Sequence, residues 1–301
     1  MFMSIPEKNI FSILRQAGPV FGKNAKYMAI ITLLAFIPVF VFRMFLPAEY
    51  AAAFYALSEA WSAAIATGTD SAALVAMLAH PTFSGAADYV MMSFGIELVF
   101  FSLSVAAATY LVGKHLAQEE YGFDGMFSAV MPKFPKLVIT TAIAAAIIYL
   151  PLSFGGTFLF ILAIYFAVGM VFYQQVVVDM GNWGLGAISI SRRFIQGRWF
   201  RVFFGITTLV ILYAIVFMAI EFFATIIGAR QNIFIALPMF LLQHFVLSFF
   251  AVALALWYFD LKRKNEIIYK RIEQKIAEGL KNLENFEESF GKREKEKEDE
   301  E

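Results

Sequence analysis

Residues 179–213 read DMGNWGLGAISISRRFIQGRWFRVFFGITTLVILY. The segment 186–196 ends on Arg192 and Arg193 before Gln196, Gly197 follows, and the chain passes Arg198 and Arg201 into a long apolar run. Glycine punctuates local structure, and basic residues immediately before an apolar run mark a helix entering a bilayer. The same plan occurs twice earlier. Residues 10–16 lead through Gly18, Pro19, Lys23 and Lys26 into the run from Tyr27. Residues 121–131 lead through Pro132, Lys133, Pro135 and Lys136 into the run from Leu137. Each unit reads as a basic interfacial elbow followed by a membrane helix.

Working outward, 60% of the 301 residues are hydrophobic and 35 are Phe. Soluble domains are about 45–50% apolar. The excess lies in blocks of roughly 20 residues, the length that crosses a hydrocarbon core of about 30 Å. Six spans follow: 27–46, 90–113, 137–152, 157–178, 202–227 and 235–259. The fold class is therefore all-α, a polytopic membrane bundle. Pro38 inside the first span predicts a kink. The chain has no Cys, which excludes disulfides, thiolate nucleophiles and Cys-ligated metals. A cleaved signal peptide is not expected, because the first apolar run starts late and carries Pro38 and Arg43.

Lys and Arg divide unevenly over the loops. Four precede Tyr27, three lie in 114–136, four in 179–201 and eleven follow Phe259, leaving Arg43 and Arg230 for the opposite side. Cytoplasmic loops retain Lys and Arg, so both termini are expected in the cytoplasm of a bacterial cell (inner) membrane. Residues 1–26 form the first amphipathic elbow, on the cytoplasmic side, and 27–260 the six-span domain. Segment 47–89 lacks Lys and Arg but holds Glu49, Glu59, Asp70 and Asp88. Tyr50, Phe54, Leu57, Trp61 and Ile65 share one helical face there, which predicts an outer cap on the membrane; an extra span is the alternative. After Phe259, Ile268, Ile272, Ile276, Leu280, Leu283, Phe286 and Phe290 recur every three or four residues, so 261–291 reads as a cytoplasmic amphipathic helix. Residues 292–301 are nearly all charged and are expected to be disordered.

The three units 1–113, 114–178 and 179–260 suggest internal triplication, with Phe11-Ser12, Phe127-Ser128 and Ile188-Ser189 opening the elbows. Internal repeats are common among transporters. Any basic loop before a span would look similar, so the repeat stands beside that plainer reading. Three stretches carry a likeness to a known group: GKNAKYMAIITLLAFIP at 22–38, VVVDMGNWGLGAISISRRFIQGRWFRVF at 176–203 and WYFDLKRKNE at 257–266. The chain resembles the membrane domain associated with bacterial glycerophosphodiester phosphodiesterases and related six-span membrane proteins. That resemblance implies a six-span fold and little mechanism. These 301 residues leave no room for the phosphodiesterase barrel itself.

Ionisable residues inside spans default to functional hypotheses. Glu97, Glu221 and His244 fall at similar depths below the outer surface, about 10–14 Å at 1.5 Å per helical residue. Arg43 and Arg230 sit above them, and the five are expected to share one outward-facing polar site. Two readings stand: a structural pair that pins the bundle, or a proton, ion or substrate site. At the inner surface Arg192, Arg193, Arg198 and Arg201, with Trp183 and Trp199, are expected to contact lipid head groups or a phosphate-bearing substrate. No catalytic or phosphate-loop motif is present, and His80, His115 and His244 lie on different segments. No cofactor, no metal and no enzymatic activity are expected. The expected function is a small transporter or channel-like protein for a lipid, amphiphile or small solute. The alternative is a scaffold or regulatory subunit acting through its C-terminal helix. Expected partners are membrane lipids and a second copy or another protein on the 268–290 stripe, since large exposed apolar patches mark interaction sites. No nucleic acid is expected.

Overall fold

The computed structural model describes residues 9–45, 81–153, 157–228 and 232–298, with side chains throughout except at 81–92, 94, 152, 153, 157 and 267–298. The elements in order are α1 (Ile10–Met44), α2 (Pro81–Leu116), α3 (Phe123–Val130), a 3₁₀ turn (Met131–Lys133), α4 (Phe134–Ser153), α5 (Thr157–Met170), α6 (Tyr173–Met180), α7 (Leu185–Ile195), α8 (Trp199–Ile226) and α9 (Ile233–Glu298). Among the described residues there are six helical stretches long and apolar enough to cross a membrane. The protein is an all-α polytopic membrane protein.

The three basic segments fold in three ways. In the first, the described residues form no elbow: α1 is one helix through Gly18 and Pro19, and residues 10–26 and the first span share it, while residues 1–8 lie outside the described residues. Its buried positions Ile13, Ala17, Val20, Asn24, Met28, Ile31, Ala35 and Val39 keep one phase across the proline, so one packing face holds both halves together. Asn9 caps its start, its Oδ1 accepting from the Ser12 N–H at 2.8 Å. In the second, Pro132 lies in the 3₁₀ turn between α3 and α4. In the third, α7 ends at Ile195 and Gly197, at φ 78°, separates it from α8. A left-handed backbone angle suits glycine, which has no Cβ to clash.

Other boundaries moved. Residues 81–89, expected at the end of the cap, form the first turns of α2; residues 47–80 of that cap lie outside the described residues. The single span expected over 157–178 is two helices, α5 and α6, parted at Val171 and Phe172. Residues 292–298, expected to be disordered, continue α9. Lys, Glu and Arg are good helix formers, and no breaker follows Gly291.

Within residues 9–256, α1 packs on α2, α4 on α5, and α2 on α6. Ser102, Ser104 and Ala106–Ala108 of α2 are buried, and small residues of this kind let helices approach closely. Helix α8 leaves Phe204, Ile211, Ile215 and Phe222 exposed, as a lipid-facing helix does. From Trp257 onward α9 belongs to a separate compact unit. Inside it Lys264 pairs with Asp260 at 2.7 Å.

Candidate functional site

Arg43 stands in the last turn of α1, where a cation complements the carbonyl end of the helix. Its guanidinium forms an ion pair and hydrogen bond with Oε1 of Glu97 on α2. His244 of α9 approaches the same oxygen, with Nε2 at 3.8 Å. The other ring nitrogen, Nδ1, lies 2.8 Å from the Phe240 carbonyl oxygen. A carbonyl only accepts, so Nδ1 carries the proton and Nε2 faces the carboxylate. The imidazole sits between Phe36 and Phe240, at 3.9 and 4.1 Å between ring centroids. The Arg43 guanidinium lies 5.2 Å over the Phe240 ring, within cation–π range.

The stripes that build this cluster are legible. On α9, Phe240, His244 and Ser248 repeat every four residues. Ser248 Oγ donates to the His244 carbonyl at 3.0 Å and shares a 3.1 Å hydrogen bond with Thr32 of α1. The side chains of Arg43 and Glu97 are 31% and 26% exposed, whereas that of His244 is 6% exposed. The carboxylate can therefore be reached from one side while the imidazole behind it is shielded.

Three of the five residues expected at one site thus meet. Glu221 of α8 does not join the Arg43–Glu97 pair; its Oε1 accepts from Nε2 of Gln243. Arg230 lies outside the described residues. Gln243 was missed by the sequence reading. Its signal was a side-chain amide next to His244 in an otherwise apolar run.

At the opposite set of helix ends, Arg192 of α7 lies 5.9 and 5.8 Å over the rings of Tyr165 and Phe166. Its stem passes so close to Gly169 that an added Cβ would meet Arg192 Cγ at 3.3 Å. Trp199 stacks on Tyr165 at 5.9 Å and on Phe203 at 5.3 Å. Arg192, Arg193, Ser189, Gln196 and Trp199 line an open groove of about 570 Å³ together with apolar residues such as Ile147, Leu185 and Ile188. Arg198 precedes α8, and Arg201 is exposed in its first turn; neither lines the groove.

The break between α5 and α6 is sealed by a residue the sequence did not single out. Ser191 Oγ accepts from the Phe172 N–H at 3.1 Å and donates to the Gly169 carbonyl at 3.0 Å. In hydrocarbon every backbone polar group needs a partner, so a broken span requires such a donor and acceptor. Around it lies a buried polar layer. Tyr173 donates to Thr141 at 3.0 Å, Gln174 to Tyr173 at 3.1 Å, and the Gly184 N–H to Thr140 at 2.8 Å. A serine spaced three after Ile188 and four before Ile195, in line with those apolar residues on one helical face, was the available hint.

The backbone of α9 is helical to Glu298, while the side chains of Ile268, Ile272, Ile276, Leu280, Leu283, Phe286 and Phe290 lie outside those described. Compared with known proteins, the chain matches no family model, no curated protein and no solved structure.

Proposed function

We propose that this membrane protein is a small carrier or channel-like protein for a lipid, amphiphile or small solute, seated in a bacterial cell membrane with both termini cytoplasmic, and that it is not an enzyme. The observation that carries the reading is Glu97. It is a carboxylate within a membrane span, paired with Arg43 of one helix and faced by His244 of another, and still a quarter exposed. Protonating or engaging this carboxylate would release Arg43 and change what holds three helices together. The groove beside Arg192 and Trp199 supports an amphiphile, because its lining combines the cations Arg192 and Arg193 with apolar side chains. The orientation rests on the uneven distribution of Lys and Arg.

One observation favours a second reading. Helix α9 runs without interruption from Ile233 to Glu298, far beyond the length of a span. A helical continuation whose sequence carries an apolar stripe suits a scaffold that recruits a partner or a second copy.

Reconstitution separates the two. Proteoliposomes carrying a fluorophore-labelled anionic phospholipid report its movement between leaflets by chemical quenching from outside. The carrier reading expects movement above empty liposomes and slowing of about tenfold in Glu97→Gln, the rate equivalent of roughly 1.4 kcal/mol. It also expects a chain truncated after Glu266 to retain the activity. Wild-type rates equal to those of empty liposomes would remove the lipid reading and leave the scaffold as the better account.

A further inference from the structure

The groove beside Arg192 carries one sign of charge. Arg192 and Arg193 line it, and among the described residues its lining holds no Asp or Glu. Neither guanidinium has a carboxylate or a hydrogen-bond acceptor among the described residues. Arg192 is nevertheless held in place. Its guanidinium faces the rings of Tyr165 and Phe166 on α5, and its stem runs against Gly169. The preceding residue, Ser191, bonds to Gly169 and Phe172 on either side of the break, which fixes how α7 lies on α5. A side chain that is already ordered loses little freedom when a ligand arrives. Arg192 and Arg193 are both exposed, so their N–H groups can be reached from the groove.

The rest of the lining selects the kind of anion. Ile147 of α4 and Leu185 and Ile188 of α7 add apolar surface, and Leu185 is 66% exposed. An inorganic anion gains nothing from such a wall, whereas an acyl chain does. Trp199, on the groove, is the first residue of the α8 span, and Trp and Tyr sit at the level of lipid head groups. A head-group ammonium would find no carboxylate here. A choline would find no free cradle either, because Tyr165 and Phe166, the rings suited to it, already face Arg192.

We propose that this groove binds an anionic phospholipid whose head group carries no ammonium. Arg192 presents its planar fork of donors to the phosphate oxygens, and Arg193 adds the second charge. The start of an acyl chain lies along Ile147, Leu185 and Ile188. The proposal rests on the amphiphile reading of this groove and narrows it to one class of lipid. It does not involve the Arg43–Glu97–His244 cluster.

The test uses the full chain in detergent micelles doped with phosphatidylglycerol, phosphatidylcholine or phosphatidylethanolamine of one acyl composition. Binding is read by native mass spectrometry and thermal unfolding, with free glycerol phosphate as a soluble arm. Phosphatidylglycerol should bind about tenfold more tightly than either zwitterionic lipid, the scale of a hydrogen bond to a charged group. Arg193→Gln should weaken it by about fivefold, the scale of one interfacial charge. Arg193 has no partner to lose, so that variant keeps the test valid if Arg192 variants fold poorly. Arg192→Lys keeps the charge but loses the stacked fork, and should weaken binding by about fivefold as well. Lys26→Gln removes an exposed charge outside the groove and should leave the preference intact. Equal binding of the three lipids, or a loss in Lys26→Gln as large as that in Arg193→Gln, overturns the proposal. Stabilisation by free glycerol phosphate equal to that by the lipid overturns the assignment to a lipid. Because the readout is binding in micelles, a failure here leaves the carrier reading to the Glu97→Gln movement assay, and a failure of that assay leaves this site standing.

Discussion

Gly18 and Gly197 each stand between a short amphipathic stretch and a long apolar run, beside basic residues. Helix α1 passes through Gly18 and Pro19, whereas the chain breaks at Gly197 between α7 and α8. In α1 the buried stripe runs through Ala17, Val20, Asn24 and Met28, and Lys23 and Lys26 fall beside it. In the third segment the buried positions Ile188, Ser191 and Ile195 would continue through 198 to Val202. Position 198 is an arginine, and a continuous helix would press that charge into the buried face. Burying a charge is costly, and a left-handed glycine one residue earlier avoids it. What separates elbow from straight helix is where the basic residues fall on the stripe, not whether they are present.

The largest expected effect tests what the elbow does for its neighbours. Ser191→Val strips the Phe172 N–H and the Gly169 carbonyl of their partner and should cost about 2–6 kcal/mol, at roughly 1–3 kcal/mol for each buried group left unpaired. Ser12→Val, near the start of α1 and without a buried backbone group to satisfy, should stay within about 0.5 kcal/mol. Thermal unfolding in detergent measures both. Equal effects would mean that the third elbow is no more than a connector.

The same substitution at the two glycines should have opposite signs. Gly197→Ala forces a Cβ into a left-handed angle and should destabilise by about 1–2 kcal/mol. Gly18→Ala adds a Cβ with no atom within 4 Å, inside a helix, and should stabilise by about 0.5–1 kcal/mol. A destabilising Gly18→Ala would show that α1 does turn there. A stabilising Gly197→Ala would show that the break does not depend on the glycine.

Six apolar runs, a helical class, the uneven spread of Lys and Arg and the turn at Gly197 were all readable along the chain. Each depends on short-range terms: the transfer free energy of a block of side chains into hydrocarbon, or the backbone preference of one residue. Glu97, His244 and Arg43 could be picked out because charge inside an apolar run is costly wherever the run packs. Their partners could not. That Glu97 takes Arg43 and His244 while Glu221 takes Gln243 depends on how each helix is rotated and how far it slides along its neighbours. Many weak packing contacts set that register, and none of them is visible in one segment. The same holds for the break after Met170, which Ser191 satisfies from another helix. Sequence carries the cost of leaving a polar group alone in the membrane; only the assembled helices determine which group answers it.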